Sequence, residues 1–139
     1  MTYKPTEKEI LAVLNSGIDA RMRYFVHKVA SQEHLRLTYD AEGNLFAGYD
    51  ADGVECVVAW PFEVYGQIFL DESQNKQFLK AMSIHKFLGE YVDELFGNGI
   101  SMFIFPNKTL QGALLPADVF RDMMEDELAK YGDCDWKDF

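Results

Sequence analysis

The sequence has little cysteine and no long apolar run, and both absences narrow the class of protein. Its two cysteines, Cys56 and Cys134, lie far apart and form no C-x-x-C pair, so a disulfide framework is not predicted and a reducing compartment is favoured. No apolar stretch approaches the roughly 20 residues that a membrane helix needs. Charged residues such as Lys4 and Glu7 occupy the start of the chain, where a signal peptide would be apolar. We therefore expect a cytoplasmic protein that does not insert into a membrane.

Basic residues are also scarce. The 13 Lys and Arg residues face 23 Asp and Glu residues, which gives a formal net charge of -10. A surface of this sign repels phosphate backbones and anionic lipids, so nucleic acid and membranes are not expected partners. The simplest interpretation of the acidity is solubility, and the alternative is attraction of a basic protein partner. Four basic residues gather on the predicted second helix, as either a docking patch or a solvated face: Arg21, Arg23, His27 and Lys28.

Motifs for catalysis and cofactor binding are missing from the sequence. His27, His34 and His85 fall in different predicted elements, with no i, i+4 pair that would build a zinc site. There is no P-loop, dinucleotide-binding glycine motif or nucleophile elbow. The connectors at residues 40–43 and 50–53 both read Asp-Ala-acid-Gly, a fragment of a calcium loop, but neither has Glu at the twelfth position. We predict turns there, and we predict no catalytic residue, metal or cofactor.

The clearest local feature is a strand that turns directly into a helix, at residues 56–70. The segment Cys-Val-Val-Ala-Trp is apolar and rich in β-branched residues, which is typical of a buried strand. Pro61 has no N–H for a sheet but suits the first turn of a helix, where Glu63 faces the positive end of the helix dipole. Trp60 therefore lies at the corner, and we expect it to be buried between the sheet and the helix that follows.

Hydrophobic periodicity along the rest of the chain predicts an α+β fold. We expect a mostly antiparallel sheet of about five strands, with helices packed mainly on one face. No linker or repeat divides the sequence, so residues 1–139 are predicted to form a single domain with an N-terminal helix in residues 1–17. The predicted helices begin near residues 6, 19, 61, 83 and 116, and the predicted strands cover residues 35–39, 45–49, 56–60, 100–105 and 110–115.

The C-terminal segment is acidic and contains two aromatic residues. Gly132 is predicted to end the last helix, and residues 133–139 to form an acidic tail. Trp136 and Phe139 lie in this tail, where a solvated segment gains nothing from large aromatic side chains. They either fold back onto the domain or anchor a partner, as aromatic residues do at many interfaces. If there is a basic protein partner, we expect it to meet this segment.

Four groups of short motifs occur in a characteristic order. They are Arg23-Tyr24-Phe25 with Val29-Ala30, Trp60-Pro61 with Glu63, Ser83-Ile84 with Phe87-Leu88, and Phe103-Ile104-Phe105-Pro106. In this order they resemble a bacterial family known only as domain of unknown function family 2750. The resemblance covers about residues 20–131, almost the whole chain. This family carries no assigned activity, so the resemblance supports the fold and implies no function.

Two hypotheses for function follow. The first is a non-catalytic protein-binding or regulatory module, favoured by the missing catalytic motifs and the acidic composition. The alternative is a small-molecule-binding protein or weak enzyme with a pocket near Trp60 and Glu63, which would also use Tyr65 and Arg23. A concave pocket of roughly 300 Å³ or more that gathers these polar groups would favour the alternative. A surface without such a pocket, with the same side chains packed inside the domain, would favour the first hypothesis.

Overall fold

The structure, a computed structural model, describes residues 4–49, 52–73, 78–107 and 111–137. Within these residues six helices and six strands form an α+β arrangement, as the periodicity predicts. None of the described helices combines the length and apolar character that crossing a membrane requires. The helices are α1 (Glu7–Leu14), α2 (Ile18–Gln32), α3 (Glu63–Ser73), α4 (Ile84–Glu90), α5 (Val92–Gly97) and α6 (Ala117–Lys137). The strands are β1 (His34–Tyr39), β2 (Gly48–Tyr49), β3 (Glu55–Trp60), β4 (Phe78–Ser83), β5 (Ser101–Ile104) and β6 (Ala113–Leu115).

The strands form one mixed sheet in the order β4–β1–β3–β5–β6, and β2 pairs with β3 beside this path. β3 and β5 run parallel, with Cys56 opposite Ser101 and Ala59 opposite Ile104, whereas the other pairs are antiparallel. A parallel pair needs a long crossover, and here α3, β4, α4 and α5 lie between the two strands. Both strands therefore end at the same edge of the sheet, where α3 follows β3 and residues 105–107 follow β5.

Helix α3 packs on the sheet face that carries Trp60. Side chains alternate along a strand, so Trp60 and Ala59 lie on opposite faces. The ring of Phe69 in α3 contacts the Trp60 ring, with centroids 5.3 Å apart. A Cβ added at Gly66 would come within 3.0 Å of the Trp60 ring, so the close approach of α3 to β3 depends on glycine. On the opposite face, Ala59 pairs with Leu37, and both are fully buried in the core.

Two strands differ from the sequence-based prediction. β4 has no counterpart in it, because Phe78–Ser83 lies at the edge of the sheet and most of its side chains are at least partly exposed, so no period-two pattern marks it. β2 is shorter than the predicted strand at residues 45–49. The reason is that β1, and not this strand, pairs with the end of β3. Leu45 forms only an isolated bridge with Tyr39. The strand predicted at residues 45–49 is thus reduced to a short pairing at one end of β3.

Two helices also differ from the prediction. The helix expected after Ser83 is divided into α4 and α5 at Tyr91, whose φ of −112° and ψ of −32° depart from regular helical values. The expected helix end at Gly132 is wrong, because α6 continues to Lys137. Glycine weakens a helix interior but does not by itself end the helix. The predicted docking of Trp136 and Phe139 concerns side chains that lie outside the described part of the chain.

Candidate functional site

Trp60 is fully buried, as the sequence predicts. Its relative exposure is 0%, and it packs against Phe69 of α3. Its indole Nε1 has no hydrogen-bond acceptor among the described residues. An orphaned buried donor is uncommon and costs free energy. Trp60 therefore supports the junction between β3 and α3 and presents no surface to a partner.

The four residues of the predicted pocket lie in separate surroundings. Arg23 is exposed on α2 and lines an open groove between α2 and α6. Glu63 is exposed in the first turn of α3, beside a different hollow of about 250 Å³. Tyr65 is buried and lines a third cavity. The structure does not bring these three side chains together around Trp60.

Arg21 is buried, although the sequence suggests that it belongs to an exposed basic patch. Its relative exposure is 3%. The guanidinium donates to three backbone carbonyls, from Nη1 to Ser16 at 2.6 Å, from Nη2 to Gln111 at 2.5 Å and from Nε to Phe105 at 3.2 Å. Burial lowers the pKa of Arg21 from its ordinary value, and the carbonyl dipoles stabilise its charge. One side chain thus joins the α1–α2 turn, the end of β5 and the segment before β6.

Four aromatic rings pack together where β3 and β5 end. Tyr24 of α2 makes edge contacts with Phe62 and Tyr65, at centroid distances of 6.4 and 5.9 Å. Tyr65 also packs on Phe105, with centroids 4.8 Å apart. Each such pair contributes about 0.5–1.5 kcal/mol beyond its buried area. The cluster therefore holds α2 and α3 at the same edge of the sheet.

A hydrogen-bond chain runs through this aromatic cluster. The Tyr24 hydroxyl donates to Glu9 Oε2 of α1 at 2.5 Å and lies 3.0 Å from the Tyr65 hydroxyl. Tyr24 has one hydroxyl hydrogen, and a carboxylate is the stronger acceptor. Tyr65 therefore donates to Tyr24, and lone pairs on the Tyr65 oxygen remain able to accept. Burial raises the pKa of both tyrosines, and the hydrogen bond to Glu9 raises the pKa of Tyr24 further.

A cavity of about 350 Å³, which we call the α1 cavity, lies beside Tyr65 at the edge where β3 and β5 end. Helix α1 covers one side of it, α3 forms another, and the residues after β5 close it. Helix α1 buries none of its own residues, and Leu11 is 62% exposed although it lines the cavity. The apolar part of the lining is Leu11, Leu14, Ile68, Phe69 and Pro106.

A second concavity, which we call the α2–α6 groove, is open and has a volume of about 300 Å³. Met22 and Val26 of α2 and Met123 of α6 form its apolar floor. Arg23 and Glu127 lie at its two sides. The groove thus combines an apolar floor with charged sides, whereas none of the described residues that line the α1 cavity is charged.

The outer side of α6 is acidic. Asp122, Glu125 and Asp126 are exposed. Arg121 donates to Asp93 Oδ1 of α5 at 2.6 Å, and this hydrogen bond, together with the nearby carboxylates, raises the pKa of Arg121. Residues 118–130 contain five acidic residues and two basic ones. The described part of α6 therefore carries an excess of negative charge beside the α2–α6 groove.

Histidine and cysteine side chains do not gather into a site in the described residues. No group of three or more His, Cys, Asp and Glu residues there could hold a metal ion. His85 Nε2 lies 2.6 Å from Glu33 Oε1, but both side chains are largely exposed, so the pair contributes little to stability. Cys56 lies buried on β3. None of these residues lines the α1 cavity or the α2–α6 groove.

The sequence contains few features that predict the contacts of Arg21 and Glu9. Arg21 precedes the buried Phe25 by four residues, and this spacing is the one signal that places it on the inner face of α2. Glu9 has the position of a capping-box residue, and its N–H does donate to Thr6 Oγ1 at 3.2 Å. Its carboxylate also accepts from Tyr24, which is 15 positions away. No periodic pattern indicates a contact over that distance.

Comparison with protein families identifies the chain's relatives. The family model described as "Protein of unknown function (DUF2750)" matches residues 22–124. The chain belongs to the DUF2750 family. The resemblance seen in the sequence motifs is thereby confirmed. The DUF2750 match runs from α2 into α6, so it includes the apolar floor of the α2–α6 groove and Arg23, and it leaves Glu127 and α1 outside. Comparison with curated proteins and with solved structures gives no match.

Proposed function

We propose that this DUF2750 protein is a non-catalytic protein-binding module that holds a basic, amphipathic helix of a partner in the α2–α6 groove. One observation carries the proposal: an open apolar groove lies between two helices, one of which has an excess of carboxylates. Amphipathic helices bind such grooves with their apolar face, through anchors at i, i+3, i+4 and i+7. Basic residues beside that apolar face would then meet the acidic side of α6.

Further exposed apolar side chains lie on both helices, one turn before residues that line the groove. Ile18 lies one turn before Met22 on α2, and Val119 lies one turn before Met123 on α6. Ile18 and Val119 are both exposed. Exposed apolar residues close to a concave apolar surface are typical of interaction sites. The two methionines support this role, because an unbranched thioether side chain adapts its shape to a partner.

The charge of α6 favours a basic partner. Asp122 and Asp126 are exposed along this helix. Glu127, by contrast, lies 3.3 Å from Lys130 Nζ, which offsets part of its charge, and 3.9 Å from His27 Nδ1. Exposed carboxylates speed the encounter with a basic protein, and salt screens this attraction. We therefore expect the association rate to fall steeply as the ionic strength rises.

The surroundings of the predicted pocket residues support the non-catalytic part of the proposal. Trp60 and Tyr65 are used in packing, while Arg23 and Glu63 are exposed at separate places. A reaction site would need such groups within reach of one substrate. We propose the bacterial cytoplasm as the location, because two distant cysteines suit a reducing compartment.

Affinity purification with groove variants tests the proposal. The immobilised chain is incubated with bacterial lysate, and captured proteins are quantified by mass spectrometry for wild type and for Met123→Glu. We expect a basic protein whose capture falls at least about tenfold in the variant, as is usual when an interface anchor is lost. The double variant Asp122→Lys, Asp126→Lys should also reduce capture and should weaken its dependence on salt.

Two matched variants serve as controls. Leu114→Glu introduces the same charge at an exposed apolar residue on β6, outside the groove. Glu42→Lys with Glu63→Lys makes the same charge change away from α6. Both controls should retain the partner. Equal capture by wild type and a folded Met123→Glu variant would contradict the proposal, and Val119→Glu repeats the test at a more exposed position if Met123→Glu is unstable.

A further inference from the structure

The walls of the α1 cavity are ordered by hydrogen bonds within the chain. Arg21 joins the α1–α2 turn to the end of β5 and to Gln111. Asn107, which lines the cavity, is bonded to Gln111 three times. The Asn107 N–H donates to the Gln111 carbonyl at 3.1 Å, the Gln111 N–H donates to Asn107 Oδ1 at 3.0 Å, and Asn107 Nδ2 donates to Gln111 Oε1 at 3.2 Å. A cavity with ordered walls binds a ligand at little conformational cost.

The position and size of the α1 cavity suit a small molecule. Ligands of open α/β sheets bind outside the carboxyl ends of the strands, and the α1 cavity lies where the parallel strands β3 and β5 end. Its volume of about 350 Å³ is near the lower end of the range for ligand pockets, roughly 300–1,000 Å³.

The chemistry of the lining determines the class of ligand. Most of the described lining is apolar, and none of the described residues that line the cavity is charged. Beside these residues a charged ligand would lose its hydration without gaining a partner, which favours an uncharged ligand. Tyr65 gives its hydrogen to Tyr24, which lies 3.0 Å away, so its oxygen offers lone pairs and no hydrogen. A ligand that bonds to Tyr65 must therefore donate.

We propose that the α1 cavity binds a small, uncharged, mainly apolar molecule whose hydroxyl or N–H group donates to Tyr65 Oη. Helix α1 covers the bound molecule with Leu11 and Leu14. Asn15, exposed at the end of α1, is a polar group at the rim.

A titration with phenol and anisole tests this site. The two probes have rings of the same size and both carry an oxygen, but only phenol has a hydrogen to donate. In two-dimensional NMR spectra of the full chain, we expect phenol to shift the amide signals of α1, of α3 and of residues 105–107. Anisole should bind the same place about tenfold more weakly, the effect of losing one hydrogen bond. Phenol shifts that do not saturate, or that lie outside these segments, would overturn the site, and equal affinity for both probes would overturn the bond to Tyr65.

Variants of these residues test two questions separately. One is whether the ligand occupies the cavity, and the other is whether its hydroxyl or N–H group donates to Tyr65. Leu14→Trp fills the space and should abolish phenol binding, whereas Leu114→Trp on the exposed β6 strand should not change it. Tyr65→Phe should remove the preference for phenol and keep the binding of anisole. Tyr24→Phe frees the Tyr65 hydrogen to donate to a ligand, so anisole should bind more tightly than to wild type. Phenol binding retained by Leu14→Trp, or an unchanged preference for phenol in both tyrosine variants, would overturn the proposal. The titration involves no protein partner, so its outcome is independent of the α2–α6 groove.

Discussion

The α1 cavity and the α2–α6 groove differ in the way their walls are held, although α2 supports both. Around the cavity, Arg21, Tyr24 and Asn107 make hydrogen bonds to specific atoms, and the lining residues that the structure describes are uncharged. The groove instead has flexible methionine side chains on its floor and charges at its sides. Ordered walls favour one small ligand of defined shape, because little freedom is lost on binding. Adaptable walls suit the variable surface of a protein.

Two arginines on α2 show how close the α1 cavity lies to the α2–α6 groove. Arg21 is buried and bonded to three carbonyls on the cavity side, whereas Arg23 is exposed at the side of the groove. Two positions correspond to about 200° around a helix, so the side chains point in nearly opposite directions. The same residue type therefore stabilises the fold at one position and is available to a partner at the other.

The largest effect on stability is expected at Trp60, which supports α3 and thereby one wall of the cavity. Trp60→Ala should lower the free energy of unfolding by about 3–5 kcal/mol, the usual cost of truncating a large buried aromatic residue. Phe96→Ala, at an exposed aromatic residue of α5, should change it by no more than about 0.5 kcal/mol. Urea unfolding followed by circular dichroism measures both. Equal stability of Trp60→Ala and wild type would show that Trp60 does not support the cavity wall.

A smaller loss of stability is expected when Arg21 is replaced, and almost none when Arg23 is replaced. The comparison tests whether the two sides of α2 differ. Arg21→Lys keeps the charge but loses the planar group that reaches three carbonyls, so it should cost about 2–3 kcal/mol of unfolding free energy. Arg23→Lys should cost no more than about 0.5 kcal/mol, because Arg23 is exposed. Thermal and urea unfolding of the two variants provide the comparison. Similar losses in both variants would contradict the structural role of Arg21.

The smallest effect on the free energy of unfolding is expected at alkaline pH, where Tyr24 of the hydrogen-bond chain beside the cavity contributes. Burial and the bond to Glu9 raise the pKa of Tyr24, so the folded chain keeps a proton that the unfolded chain releases near pH 10. The stabilisation from this group is complete below about pH 10 and is lost as the pH rises further, by at most about 1.4 kcal/mol per pH unit. Tyr24→Phe removes this contribution, so its stability should fall less steeply above pH 10. Parallel urea titrations at several alkaline pH values measure the slopes, and identical slopes would exclude Tyr24 as their source.

Local chemistry was sufficient to predict much of the fold. Pro61 after an apolar β-branched run predicts the strand-to-helix corner and the burial of Trp60, and both are present. A helix is predicted to begin near Ser83, and the Ser83 Oγ accepts the Lys86 N–H at 3.4 Å. These features depend on a residue's own conformational preferences or on neighbours within one turn. The edge strand β4 was missed because its partly exposed side chains lack an alternating pattern.

The sequence by itself determined the α+β class, the corner at Trp60, the family and the acidic character of the chain, since these depend on composition, spacing and short motifs. Only the tertiary structure decided that β3 and β5 are parallel, that Arg21 is buried, and that Glu9, Tyr24 and Tyr65 form one hydrogen-bond chain. It also placed Arg23, Glu63 and Tyr65 beside three different concavities. Each of these outcomes depends on contacts between residues far apart in the chain, and no local preference specifies which distant groups will meet. The physical reason is that such contacts exist only after the sheet and helices have packed.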